Sequence, residues 1–183
     1  MTEDYPRPQL ERNQWLSLDG AWDFSFDGCE LSEQVVWTHE ITVLFPPESK
    51  ASGVHDERFH TSVWYRRLFR VPDAWQGQRI QLHFGAVDYR AWVWVNGHLV
   101  ATHEGGHTPF SADISHALAG GDRVVVVQAE DDLADLSKLR AKQDWLTEPH
   151  GIWYPRTHTR AQWASGRRYG LSPFPKRILA ACA

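Results

Sequence analysis

His103-Glu104-Gly105-Gly106-His107 carries the most evident chemistry in this chain. These residues fit the pattern H-E-x-x-H, in which a helix presents two histidine ligands to zinc and the glutamate acts as the general base of a metalloprotease. Glycine inside a helix costs about 1 kcal/mol relative to alanine. Pro109 follows two residues after the second histidine and also opposes a helix. The sequence therefore disfavours the helix that such a zinc site needs.

The residues before this pentapeptide predict strands. Ala91–Val95 is aromatic and β-branched, Asn96-Gly97 is a strong two-residue hairpin signal, and 98–102 reads as the return strand. We expect the pentapeptide at a strand end that enters a turn, with Gly105 and Gly106 in positive-φ conformations. The other histidines form no recognisable ligand motif, so we predict no metal and no cofactor, and a zinc hydrolase is a remote alternative.

Length and composition bound the class of protein. At 183 residues the chain is one domain, or one domain with a tail. Its ten tryptophans are expected mainly in a core, and some of them against the apolar face of a sugar ring. Cys29 and Cys182 imply no disulfide framework, and the net charge of −4 argues against a nucleic-acid partner. We see no signal peptide and no membrane-length apolar run, which predicts a cytoplasmic protein without a membrane partner.

Short strand candidates separated by turn residues recur along the chain. Their spacing predicts an all-β, antiparallel sandwich or barrel. Trp92–Val95 and Val124–Val127 are apolar on both faces, so we place them in central strands covered on both sides. Asp135–Lys142 is expected to form a short helix, Ile114–Ala119 a turn or two, and Pro46–Arg58 a long loop. The predicted strands are Ala21–Phe26, Trp37–Leu44, Val63–Val71, Arg79–Phe84, Tyr89–Val95, His98–His103 and Arg123–Ala129.

The composition changes at His158. All 23 acidic residues precede it, whereas His158–Ala183 contains five Lys or Arg and no acid. The later segment also loses strand periodicity and finishes in small residues. We therefore divide the chain into a domain over residues 1–157 and a divergent basic tail over 158–183.

A series of motifs in residues 5–157 resembles a known family. It includes Trp15–Phe24, Pro46–Ser49, Trp64–Arg67, Asp88-Tyr89, Val93–Gly97, His103–Gly106, Pro109-Phe110, Asp113-Ile114, Lys142–Trp145 and Ile152–Thr157. In this order they are similar to the N-terminal sugar-binding domain of family 2 glycoside hydrolases, the β-galactosidase, β-glucuronidase and β-mannosidase group. The resemblance implies a jelly-roll, galactose-binding-domain-like sandwich, and it makes His107 a coincidental match to the zinc pattern.

The resemblance also implies a reaction that this chain does not complete. Family members hydrolyse β-glycosidic bonds with retention through two carboxylates. Those carboxylates belong to a (β/α)8 barrel that follows the jelly roll, and the acid/base lies in an Asn-Glu dipeptide. Here Asn13 and Asn96 are followed by Gln14 and Gly97. We therefore predict no catalytic residue and a non-catalytic accessory domain, truncated before the barrel, that is not an enzyme as an isolated chain.

One residue, Asp144, stands in a Gln-Asp pair just ahead of a Trp that resembles the substrate-facing Asp of the β-galactosidases. By this match Asp144 contacts a sugar hydroxyl or a nearby monovalent cation, with an ion pair to a neighbouring basic residue as the alternative. Trp145 and Tyr154 form apolar walls of a sugar site or pack against the sheet. Arg156 holds a carboxylate or another loop, and Glu104 contacts the ligand or bonds loop backbone. Carbohydrate is thus the expected partner, and the other function classes kept open are a free-standing, lectin-like carbohydrate-binding module and a structural scaffold.

The tail departs from the family after Thr157. Where the family continues with a closing strand, this chain reads His158–Gly166, yet permitted codons in a shifted frame, read through Lys176, spell Ile-Trp-Gln-Thr-Val-Trp-Leu-Glu-Pro-Val-Pro-Glu. We infer that 158–183 is an out-of-frame tail that replaces the closing strand, which sequencing the underlying DNA would test. A missing strand leaves an incomplete sheet edge that invites self-association. We expect partial order near Trp163 and disorder beyond Pro175.

Overall fold

The computed structural model describes residues 14–26, 34–56, 58, 60–106, 108–118, 123–130 and 178–182. Two antiparallel sheets pack face to face, which confirms the predicted all-β antiparallel sandwich. Three short 3-10 helices, Lys50–Ser52, Asp73–Trp75 and Ser115–Ala117, lie in the connections. The strands are β1 Trp15–Ser17, β2 Gly20–Ser25, β3 His39–Val43, β4 Ser62–Phe69, β5 Ile80–Phe84, β6 Arg90–Val95, β7 His98–Glu104, β8 Phe110–Asp113, β9 Arg123–Glu130 and β10 Ile178–Cys182.

One sheet has six strands in the order β3-β2-β4-β9-β6-β7, and the other has four in the order β1-β10-β5-β8. Alternation along each strand decides which side chains face the core. In β5, for example, Ile80, Leu82 and Phe84 are buried, while Gln81 and His83 are only half-buried. Each large apolar side chain buried in this way contributes about 1.5–3 kcal/mol to folding.

Large aromatic side chains fill much of the space between the sheets. Trp22 and Phe24 of β2 and Tyr65 of β4 are all buried in this core, and the Phe24 and Tyr65 rings lie 5.0 Å apart. Trp75 is also part of this core. Of the seven tryptophans that the structure describes, Trp22, Trp64 and Trp75 are buried and the other four are half-buried, so fewer lie in the core than expected.

Every strand predicted from the sequence is present, with ends that shift by a few residues. β6 and β9 occupy central positions as expected, with Val93 and Val127 fully buried on the core side. Their other face is less covered than predicted, because Trp92 and Trp94 are half-buried. The sequence reading missed β1, β8 and β10, which are short or poor in β-branched residues and so carry a weak strand signal.

The expectation of disorder beyond Pro175 is wrong, because Ile178–Cys182 forms β10. This strand pairs with β1 on one side and with β5 on the other. Backbone groups on two neighbouring strands need partners, and that requirement outweighs the weak strand propensity of an alanine-rich segment. Trp163 and the predicted helix Asp135–Lys142 lie outside the described residues.

No helix within the described ranges is long and apolar enough to cross a membrane.

Candidate functional site

Titratable side chains gather at one end of the six-stranded sheet. At this end β2, β7 and β9 finish, and β3, β4 and β6 start. We call it the charged rim, defined by Asp56, Arg58, His60, Arg90, Glu104 and Glu130. The opposite end, which carries the turn between β6 and β7, is called the hairpin end.

Arg90 is the centre of the first part of the rim. The strand register places it directly opposite Glu130 of β9 on one side and Glu104 of β7 on the other. Its Nη1 atom lies 3.2 Å from Oε2 of Glu130, and both side chains are 33% exposed. Residues opposite one another in antiparallel strands share a face, so a guanidinium stands between two carboxylate positions on the surface of the sheet.

Backbone hydrogen bonds continue across the rim beyond the strand ends. The Tyr89 N–H donates to the Glu130 carbonyl at 3.0 Å, and the Gly105 N–H donates to the Tyr89 carbonyl at 2.8 Å. Gly105 has a φ of 133°, as predicted for a residue in this turn. These bonds fix the backbone that carries the rim side chains, so the charged groups sit on a rigid support.

Asp56 and His60 form the second part of the rim. Arg58 donates from Nη2 to Asp56 Oδ2 at 2.6 Å, and the His60 Nε2 atom lies 3.3 Å from the same oxygen. Hydrogen bonds from Arg58 hold the pKa of Asp56 far below its usual value. The His60 ring stacks on Phe26 at 3.8 Å, and burial lowers the pKa of this imidazole although Asp56 favours its charged form.

The pentapeptide that matched the zinc pattern is not helical where the structure describes it. His103 and Glu104 end β7, so alternation turns them toward opposite faces of the sheet. The His103 ring stacks on Phe110 at 4.3 Å, and its Nε2 atom lies 3.0 Å from Thr108 Oγ1. His107 lies outside the described residues, and within the described ones no group of three His, Cys, Asp or Glu is placed to hold a metal ion.

Gly106 has a different role from the one expected. It does not have a positive φ; instead, a Cβ at this position would collide with the carboxylate of Asp88. Asp88 is only 3% exposed, so it has little room to move. Glycine is required here for close approach to a buried side chain rather than for its backbone freedom.

Only part of the predicted site can be placed. Glu104 lies at the rim and is exposed, in register with Arg90. Asp144, Trp145, Tyr154 and Arg156 lie outside the described residues. They follow β9 in the sequence, and β9 ends at the rim.

The sequence reading did not select the other rim residues. Arg90 lies near the start of one predicted strand and Glu130 directly follows another, but the register that makes them neighbours depends on pairing between distant segments. The long loop Pro46–Arg58 was the one available signal, because it contains Asp56 and such loops often carry function.

The arrangement suits a small polar ligand. Carboxylates accept hydrogen bonds and guanidinium groups donate them, so the rim offers both kinds of partner on an exposed surface. Fold and rim together define a β-sandwich with a cluster of charged side chains at one end of its six-stranded sheet.

Comparison with known proteins gives the family. Residues 41–147 match the family model described as "Glycosyl hydrolases family 2, sugar binding domain". The β-glucuronidase of Sus scrofa is 47% identical over 133 residues, which are 64% of this chain and 20% of that protein. The β-glucuronidase of Paenibacillus borealis is 34% identical over 132 residues, 67% of this chain and 22% of that protein. The chain therefore belongs to glycosyl hydrolase family 2 and contains its sugar-binding domain.

Solved structures show the same fold. The chain superposes on Lactobacillus rhamnosus β-glucuronidase with a TM-score of 0.65 and 28% identity, covering 97% of this chain and 30% of that one. Bifidobacterium dentium β-glucuronidase, solved in complex with coumarin-3-O-glucuronide, gives a TM-score of 0.66 at 21% identity and covers 95% of this chain and 31% of that one. The chain spans about one fifth of the length of the curated relatives it matches.

Proposed function

We propose that this chain is the non-catalytic, sugar-binding accessory domain of a family 2 retaining β-glycosidase, and that it contacts the sugar through the charged rim. The match of residues 41–147 to the family's sugar-binding domain carries this proposal. The rim supports it, since it is the end of the sandwich at which β9 finishes and from which the chain continues toward Asp144, the residue that resembles a substrate-facing position of the family.

The rim side chains suit sugar hydroxyl groups. Each hydroxyl both donates and accepts a hydrogen bond. Glu104 and Glu130 would accept from the sugar, while Arg90, which is one-third exposed, would donate to it. Hydrogen bonds to charged groups contribute about 1.5–3 kcal/mol each when they are well formed.

Glucuronic acid is the first sugar to test, because the relatives named above are β-glucuronidases. Its carboxylate needs a cationic partner, and the rim provides Arg90 and Arg58. We further propose that Asp144, Trp145, Tyr154 and Arg156 complete the site, with the aromatic residues against the apolar face of the ring.

The non-catalytic part of the proposal follows from the carboxylates. Retaining hydrolysis needs two carboxyl groups about 5–5.5 Å apart, one of them kept protonated as the acid. At the rim, Glu130 is ion-paired with Arg90, and hydrogen bonds from Arg58 hold the pKa of Asp56 far below its usual value. The sequence also lacks the Asn-Glu dipeptide that the family uses for its acid/base.

Isothermal titration calorimetry with glucuronic acid, galactose and mannose tests the binding. Replacing Glu130 with Gln should weaken binding of the preferred sugar by about 10-fold, the loss of one charge-assisted hydrogen bond. Asp73→Asn is the matched control, since Asp73 is exposed in the short 3-10 helix Asp73–Trp75, away from the rim. An equal effect of both substitutions would contradict a site at the rim.

A second assay tests the absence of catalysis. The chain should not release p-nitrophenol from p-nitrophenyl β-glucuronide or β-galactoside above the rate of the Glu130→Gln variant. Hydrolysis by the unmodified chain would contradict the proposal. Sugar binding with a dissociation constant in the low micromolar range, about −7 to −8 kcal/mol, would instead favour a free-standing carbohydrate-binding module.

A further inference from the structure

The slot between β1 and β5 receives a strand from a distant part of the chain. β10 pairs with Trp15–Ser17 on one side and with Ile80–Phe84 on the other, antiparallel to both. Its sequence, Ile-Leu-Ala-Ala-Cys, carries no charge. The strand lies outside residues 41–147, the part of the chain that matches the family model. β10 is therefore bound by main-chain hydrogen bonds to the strand on each side, β1 and β5.

The wall formed by β5 is fixed without β10. β5 pairs with β8 on its other side. The Ile80 N–H donates to Ser115 Oγ at 2.8 Å, and the Ile80 carbonyl accepts from the Ile114 N–H at 2.9 Å. Arg79, just before the strand, forms an ion pair of 2.7 Å with Asp113 at the end of β8.

The wall formed by β1 is also tied to the rest of the fold. Leu18, the residue after β1, is buried. Its carbonyl accepts hydrogen bonds from Trp22 Nε1 at 2.7 Å and from Arg67 Nη1 at 2.9 Å. β5 is thus held by contacts that do not involve β10. Among the described strands β1 pairs with β10 alone, but the residue that follows it, Leu18, is anchored independently, so β1 stays attached to the fold when one strand leaves the slot and another enters.

An empty slot would expose two rows of backbone groups, which favours capture of another strand. We propose that the slot exchanges strands between molecules, so that Ile178–Cys182 of a second copy of this chain pairs with β1 and β5 and the exchange is reciprocal. The exchanged dimer contains the same strand contacts as two separate molecules, which is the usual basis of domain swapping. This proposal is independent of the sugar-binding function.

The reach of the chain permits the exchange. Residues 131–177 separate β9 from β10, and this interval spans at most about 170 Å when fully extended. An intramolecular strand competes at an effective concentration of the order of millimolar. We therefore expect intramolecular pairing at micromolar protein and exchanged dimers as the concentration approaches that value.

Disulfide trapping in the full-length chain tests the exchange. Gln81 and Ala181 are register partners. One variant carries Gln81→Cys and the other Ala181→Cys, each with Cys29→Ser and Cys182→Ser. The two are mixed at about 10 µM and about 0.5 mM, below and near the expected effective concentration, and then oxidised. The matched control replaces the first variant with His98→Cys, at the hairpin end, in the same background.

At the higher concentration the Gln81→Cys mixture should give at least about 5-fold more disulfide-linked heterodimer than the His98→Cys mixture, and the excess should fall on dilution. Heterodimer at the control level under both conditions would overturn the proposal. A single chain carrying both Gln81→Cys and Ala181→Cys should form an intrachain disulfide at about 10 µM, because opposed antiparallel positions lie within disulfide reach. Absence of that bond would overturn the pairing itself.

A measurement without new cysteines guards against variants that fail to fold. In sedimentation velocity the native chain should form dimers as its concentration rises. Ala181→Pro, which removes a backbone donor within β10, should abolish them, whereas Ala183→Pro beyond the strand should not. A native chain that stays monomeric throughout, or dimers that Ala181→Pro leaves intact, would contradict strand exchange.

Discussion

The two ends of the six-stranded sheet use polar side chains in different ways. At the hairpin end, polar side chains bond to the backbone: Asn96 accepts from the Val124 N–H at 2.9 Å and donates to the Ala117 carbonyl at 2.8 Å. Arg67 donates from one nitrogen to three carbonyl groups, those of Leu18, Asp19 and Ala21. These hydrogen bonds stabilise the sandwich by linking segments that are distant in the sequence.

At the charged rim, polar side chains pair mainly with each other. Arg90 lies against Glu130, and Arg58 lies against Asp56. Exposed ion pairs of this kind contribute at most about 1 kcal/mol to stability. The contrast teaches that conspicuous polar residues at the hairpin end stabilise the sandwich, whereas those at the rim contribute little to stability, which is what the proposed ligand contacts require.

The largest expected effect on stability comes from the close contact between Gly106 and the buried Asp88 beside the rim. Gly106→Ala should destabilise the protein by about 3 kcal/mol, because the added methyl group collides with the buried Asp88 carboxylate. Gly97→Ala at the hairpin end is the control: its Cβ meets nothing within 4 Å, so only the positive φ of 80° costs about 1–2 kcal/mol. Urea unfolding measures both, and equal losses would show that the collision is relieved.

The next effect concerns the hairpin end. Asn96→Ala should cost about 2 kcal/mol, because two hydrogen bonds are lost and alanine is unfavourable at a φ of 49°. Asn96→Gly removes the same bonds but tolerates the backbone, and should cost about 1 kcal/mol. The midpoint of urea unfolding reports the difference. If Asn96→Ala lost less unfolding free energy than the rim substitution Glu104→Gln, the contrast between the two ends would be reversed.

A smaller effect is expected for the ion pair of Asp56. Asp56→Asn should lower stability at pH 7 by about 1 kcal/mol or less, since the pair is partly exposed. The folded state depresses the pKa of Asp56 below the ordinary 3.8, so the carboxylate contributes above that pH and its contribution is lost as the pH falls further. The difference in free energy of unfolding between the native protein and Asp56→Asn should therefore shrink as the pH falls below about 4. A gap that stays constant down to acid unfolding would contradict this pairing.

The smallest effect concerns His60. Burial lowers its pKa below the ordinary 6.5, so its contribution is complete above that pH and declines as the pH falls and the folded state resists protonation. His60→Phe keeps a ring against Phe26 and removes the titration. Stability of the native protein should fall more than that of the variant between pH 7.5 and pH 5.5. If the variant lost more stability than the native protein over this pH range, the predicted effect of His60 would be contradicted.

The fold was accessible from the sequence because its signals are local. Alternation in Ile80–Phe84 and the Asn96-Gly97 turn each depend on a few adjacent residues, and both appear where predicted. β10 was missed because this alanine-rich segment has a weak strand propensity of its own. It forms a strand because β1 and β5 need a pairing partner, and that requirement is not visible in the local sequence.

The rim was less accessible, because it is assembled by register. Glu104 was selected through the family resemblance, but its neighbour Arg90 and the partner Glu130 come from separate strands. Nothing in the local sequence of either one marks an ion pair. The role of Gly106 was likewise hidden, since its collision partner, Asp88, lies on another segment.

Chemical-shift mapping with glucuronic acid tests the central claim most directly. In a titration of the isotopically labelled chain, we predict saturable shifts at the backbone amides of Arg90, Glu104 and Glu130, with none at Asn96 or Gly97. Shifts centred on the hairpin end, or a titration that leaves the rim amides unchanged while the sugar binds, would contradict it.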